Sequence, residues 1–152
     1  MRRVTAVLSV VAGALMAAGL VAQAKPNFGG EWKLMVARGQ GEPGVDLTIT
    51  QSATVMTLAY RDGVKLTYTL DGSVSKNMMA GRGGAPTEQV SKAMWAGNII
   101  VVTTTTSVGE EKRTLSMEGG YLVVETSAPA RSGGAPTITK AAYQPYERGF
   151  GG

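Results

Sequence analysis

The chain contains neither histidine nor cysteine. Nucleophilic systems of the Ser-His-Asp and Cys-His kinds are therefore excluded, as are the usual zinc constellations, because each needs an imidazole or a thiolate. Carboxylates are present but form no local motif. Glu110-Glu111 sits at a turn and reads as a solvated pair; a catalytic dyad would have to be assembled from distant strands, for example with Asp46 or Glu125. Gly81-Arg82-Gly83-Gly84 is glycine-rich like a phosphate cradle, but it leads into a strand pattern, not a helix, and no Lys-Ser/Thr closes it. Met78-Met79 raises copper, since thioethers bind Cu(I). Without His or Cys beside them, packing within a loop or contacts of a lid is the reading adopted. No catalytic residue, metal or other cofactor is expected.

What remains is chemistry of binding. Trp32 and Trp95 read as core residues, because an indole buries a large apolar area and needs one partner for its N–H; stacking on a ligand is the alternative. Two longer loops are alike: Arg82-Gly83-Gly84-Ala85-Pro86-Thr87 recurs as Arg131-Ser132-Gly133-Gly134-Ala135-Pro136-Thr137. Gly and Pro make good irregular connections by themselves. The sharper reading makes the two loops the mouth of a pocket, with Arg82, Arg131, Met78 and Met79 on its rim. Such a rim would favour an amphipathic anion.

The elements that must position these residues are strands. Apolar residues alternate with polar ones in short runs bounded by turn residues, and no segment beyond the N-terminus sustains a helical period. Trp32 to Val36, Val45 to Thr50, Val55 to Tyr60 and Val64 to Leu70 form the first series. Arg61-Asp62-Gly63 reads as a hairpin turn and Asp71-Gly72 as a turn or bulge. Thr87 to Trp95, with Val90 and Met94 as its apolar candidates, opens the second series. Ile99 to Thr106, Lys112 to Met117, Tyr121 to Thr126 and Thr137 to Tyr143 follow. About nine strands joined by short connections predict an all-β fold, an antiparallel up-and-down barrel of eight to ten strands. The two similar loops follow the fourth and eighth of these strands, so parity places them at one end.

Residues 1–24 read as a cleavable signal peptide. Arg2 and Arg3 precede a helical apolar run from Val4 to Val21, and Ala22-Gln23-Ala24 has the small-x-small pattern of a cleavage site. A membrane anchor is the competing reading, since the run approaches the roughly 20 residues that span a bilayer. With no cysteine at the site, acyl tethering is excluded, and the expected product begins at Lys25 and is periplasmic or secreted without a membrane anchor. The expected organisation is one domain over residues 25–152, ending in a Gly-rich tail from about 144. Removing the signal removes half of the formal charge of +4, and no basic stripe with interleaved aromatics remains. Nucleic acid is therefore not an expected partner.

Asn27-Phe28-Gly29-Gly30-Glu31-Trp32-Lys33-Leu34 resembles the opening strand of lipocalins and fatty-acid-binding proteins, and its Phe-x-Gly-x-Trp-Lys-Leu is closest to the latter. The resemblance implies a barrel in which Gly30 lets the chain bend at the closed end and Trp32 plugs that end. Together with Ser91-Lys92-Ala93-Met94-Trp95-Ala96-Gly97-Asn98, the opening also resembles small exported bacterial β-barrel proteins, which implies export and a fold but no activity. The departures are specific. The stretch from Arg38 to Gly44 is too short and too Gly-rich for a helical lid. The Arg-x-Tyr expected in the last strand is replaced by Lys140-Ala141-Ala142-Tyr143, whose spacing puts Lys140 and Tyr143 on opposite faces.

The expectation is an exported, non-catalytic, lipocalin-like barrel that binds a small apolar or amphipathic molecule. The alternative is a structural or protein-interaction barrel filled by its own side chains. Inward Ala59, Thr103 and Thr105 would leave a cavity; Met56, Tyr68 and Met94 meeting at the centre would fill it.

Overall fold

The computed structural model describes residues 24–35, 46–81 and 83–146. The expected signal helix, the Arg38 to Gly44 connection, Arg82 and the end of the tail lie outside them. Among the described residues ten strands form one antiparallel sheet: β1 (Gly30–Leu34), β2 (Leu47–Gln51), β3 (Val55–Tyr60), β4 (Lys65–Thr69), β5 (Asp71–Ala80), β6 (Pro86–Ala96), β7 (Ile99–Thr106), β8 (Gly109–Glu118), β9 (Tyr121–Ala128) and β10 (Thr137–Pro145). The order β4-β3-β2-β1-β10-β9-β8-β7-β6-β5 is a meander in which the first and last strands pair. The sheet thereby curls into a nearly closed up-and-down barrel, compatible with a lipocalin-like fold.

Strand β5 is the element the sequence pattern hides. Its inward positions include Ser75 and Asn77, both buried. Without an apolar alternation it reads as a loop, so Met78 and Met79 were expected in a loop and instead lie in a strand. The bulge expected at Asp71-Gly72 is there: the register with β6 shifts between Asp71 and Val74. Strand β6 carries a second correction. Ser91 and Ala93 are its buried residues, while Met94 is half exposed on the outside. Counting apolar residues selects the wrong face because the inward positions are small or polar. The last strand runs on to Pro145, and Tyr146 N–H still donates to the Glu31 carbonyl, so the expected tail begins as strand.

Parity survives the extra strand. The two Gly-Gly-Ala-Pro loops follow β5 and β9, both odd, and therefore share an end with the connections after β1, β3 and β7. The opposite end carries the connections after even strands and the entry into β1.

Closure is incomplete in a specific way. Strands β4 and β5 are neighbours in the barrel but form no backbone ladder. Side chains of β5 bridge the seam. Asn77 Oδ1 accepts from Thr67 N–H at 2.8 Å, Asn77 Nδ2–H donates to the Thr67 carbonyl at 3.0 Å, and Ser75 Oγ accepts from Thr69 N–H at 2.9 Å. The polar residues that disguise β5 in the sequence thus satisfy the edge of β4, which would otherwise expose unpaired backbone groups.

Candidate functional site

The end where the chain enters β1 is plugged. Phe28 is fully buried and stacks on Trp95, with ring centroids 5.8 Å apart. Trp32 is buried, and its Nε1–H donates to the Phe28 carbonyl at 2.9 Å. Gln51 holds the entering segment down: its Oε1 accepts from Phe28 N–H at 2.9 Å and its Nε2–H donates to the Pro26 carbonyl at 3.3 Å. Gly30 stands between these residues at φ +144°, with the Trp32 indole nitrogen 3.8 Å from where a Cβ would sit. That backbone conformation is costly for any L side chain, which gives Gly30 a reason to be glycine. Trp95 is half-buried, with Lys25 Nζ 5.2 Å from its ring centre.

Above this floor the inner wall changes character strand by strand. On β7, buried Ile100 and Val102 give way to buried Thr104; on β6, Trp95 and Ala93 give way to Ser91 and Gln89. On β8, Leu115 gives way to Arg113 and Glu111; on β9, Leu122 and Val124 give way to Thr126. In every case the polar residue lies toward the end that carries the two similar loops. Each pair of inward residues is two apart, as a strand's alternation requires. Across the lumen, β2, β3 and β4 present Leu47, Ile49, Met56, Leu58 and Leu66 together with the rings of Tyr60 and Tyr68.

Arg113 and Glu111 form an ion pair at 3.4 Å, and their side chains keep 23% and 26% exposure although they face inward. A quarter exposure at inward positions means that open space adjoins them. The charge of Arg113 is felt by three tyrosines. Burial pushes Tyr68 and Tyr143 up to about 12 and raises Tyr60, and in each case the Arg113 guanidinium opposes the shift. Tyr60, on β3, stands far from β8 in the sheet order, so for it this influence acts across the barrel, whereas Tyr143 on β10 has only β9 between it and β8. Ser91 and Thr104 complete the polar wall with a hydroxyl–hydroxyl bond of 2.8 Å.

Neither family models nor curated proteins match this sequence.

The expected rim residues are not brought together. Met78 is 60% exposed on the outer face, whereas Met79 turns inward and packs against the core. Adjacent strand residues point to opposite faces, so the two cannot act as one contact. Arg131 is exposed in its loop, and Arg82 lies outside the described residues. Asp46 is taken up by Arg61 at 2.9 Å and Glu125 is exposed, so they form no dyad. Lys140 is exposed and Tyr143 buried, the opposite faces that their spacing requires. An open cleft of about 600 Å³ lies on the outside near the plugged end, between the β8–β9 turn and Tyr146. The interior pair and tyrosines contribute nothing to it. Sequence reading named Tyr68 as an inward residue but missed Arg113 and took Glu111 for half of a solvated turn pair, whereas Glu111 lies in β8 and faces inward, because a charged residue in an alternating strand defaults to the solvent face; the available signal was the two-residue spacing of Arg113 from Leu115.

The raised tyrosines make alkaline pH destabilising. In the unfolded chain a tyrosine ionises near 10.0, whereas Tyr68 and Tyr143 hold their protons to about 12 when folded. Between those values the unfolded state binds fewer protons, so the stabilisation is complete below pH 10 and is lost as pH rises toward 12. Urea midpoints should fall from about pH 9 to about pH 11, and fall less in the Tyr68→Phe, Tyr143→Phe double variant. An equal fall in both proteins would assign the effect to other groups.

Proposed function

We propose that this chain is an exported, non-catalytic binding protein for a small amphipathic molecule, held in the half of the lumen that opens between the two Gly-Gly-Ala-Pro loops. The observation that carries this reading is the inward Arg113–Glu111 pair, one quarter exposed above a packed apolar floor. The polar end of the molecule would lie on the wall from β6 to β9, beside the partly exposed pair. The fatty-acid-binding resemblance of Phe28 to Leu34 agrees with such a use, although fold-level likeness by itself assigns no ligand.

A second reading is a barrel filled by its own side chains. Met56 and Tyr68 oppose each other in register on β3 and β4, and both are almost completely buried, so much of the interior is taken. Ala59, Thr103 and Thr105, which would have left room, are not among the buried inward residues.

The two readings separate in native mass spectrometry of the protein purified from its own host. The binding reading expects a mature chain beginning at Lys25, with an adduct in the mass range of a single-chain amphiphile. A bare chain that also fails to bind amphiphiles in titration supports the filled barrel. An intact N-terminus on a membrane-bound product sinks the exported reading.

A further inference from the structure

The charge balance inside the mouth selects among amphiphiles. Arg113 is not a free cation: Glu111, two residues away on the same face of β8, lies 3.4 Å from it. A carboxylate placed on Arg113 would face the Glu111 carboxylate at close range in a partly desolvated space, where like charges repel more strongly than in water. A cation placed on Glu111 would meet Arg113 in the same way. A group with both signs, or with strong donors and acceptors side by side, can satisfy both partners at once. The rest of the wall is neutral and hydrogen-bonding. Gln89 Oε1 is buried with no hydrogen-bond partner among the described residues, an acceptor suited to a donor on the ligand. It stands in register with Asn77, whose own amide is engaged by the β4 backbone.

Resting on the binding function above, we propose that the lumen takes a dipolar head group of zero net charge, its anionic oxygen toward Arg113 and its cationic or donor group toward Glu111, and that it discriminates against simple carboxylates. The exposed Arg131 in the loop is too solvated to reverse this preference, since a surface charge is screened by salt. The tail adds affinity common to all single-chain amphiphiles, so the head group sets the ranking.

The test is calorimetric titration of the mature protein with three probes of equal chain length, each below its micelle concentration: dodecylphosphocholine, dodecanoate and dodecyltrimethylammonium. The expected result is saturable binding of dodecylphosphocholine, with the two singly charged probes about tenfold weaker or worse. In Glu111→Gln, with near-ultraviolet circular dichroism like that of the parent, dodecanoate should gain about tenfold and dodecylphosphocholine should weaken, because Arg113 is then unneutralised. The ranking in the unmodified protein tests the inference even if the variant does not fold. Dodecanoate binding as tightly as dodecylphosphocholine overturns the charge-balance inference and leaves the binding function standing. No saturable binding of any probe overturns both.

Discussion

Trp32→Ala should lower the free energy of unfolding by roughly 3–5 kcal/mol, the range for removing a buried large aromatic side chain. The residue is buried, and its ring lies beside the Phe28 segment that closes one end of the barrel. Truncation removes the apolar contacts of the indole, opens a cavity next to fully buried Phe28, and leaves the Phe28 carbonyl without its 2.9 Å donor. For a domain whose whole stability is of order 5–15 kcal/mol, this is a large fraction. Urea unfolding of the protein measures it, and Trp32→Phe should recover much of the loss because most of the apolar volume returns. A loss below about 1 kcal/mol would mean that the plug is not built as described.

The second large effect lies at the β4–β5 seam. Asn77→Ala removes both bonds that tie β5 to Thr67, leaving that residue's N–H and carbonyl without partners at the seam. Each buried polar group left unmade costs about 1–3 kcal/mol, less where water reaches it. Adding Ser75→Ala also frees Thr69 N–H, which now donates to Ser75 Oγ at 2.9 Å. Amide hydrogen exchange distinguishes this from general loosening. The Thr67 amide should lose protection first, while the amides of β7 and β8, held in an unbroken ladder, should keep theirs. Uniform loss of protection across the barrel would show that the side-chain bridges are not what closes it.

Both effects depend on residues whose meaning differs between the chain read as a string and the chain folded. Trp32 was legible in advance, because a tryptophan in an alternating strand after Gly30 has few destinations but a core. The alternation of β2, β3, β4 and β7, the Asp62-Gly63 turn, and the shared end of the two similar loops were legible for the same reason: strand period and turn chemistry are local properties. Asp62 Oδ1 accepts from Val64 N–H at 3.0 Å and Gly63 sits at φ +96°, both consequences of the residues at those positions.

The sequence by itself determined that the domain is all-β, that its strands follow one another up and down, and that His- and Cys-dependent chemistry is excluded. Tertiary structure alone decided which polar residues face inward. Ser75, Asn77, Ser91 and Thr104 break the apolar alternation, so a pattern count either discards their strand, as with β5, or turns it over, as with β6. They tolerate burial because partners reach them from elsewhere: the β4 backbone for Ser75 and Asn77, and each other for Ser91 and Thr104. Arg113 and Glu111 face the lumen on the same terms, paired with each other. The partners of Ser75, Asn77 and Ser91 come from the neighbouring strand, 6, 10 and 13 residues away in the chain, and which strand edge each side chain meets is set by the fold, not by local spacing.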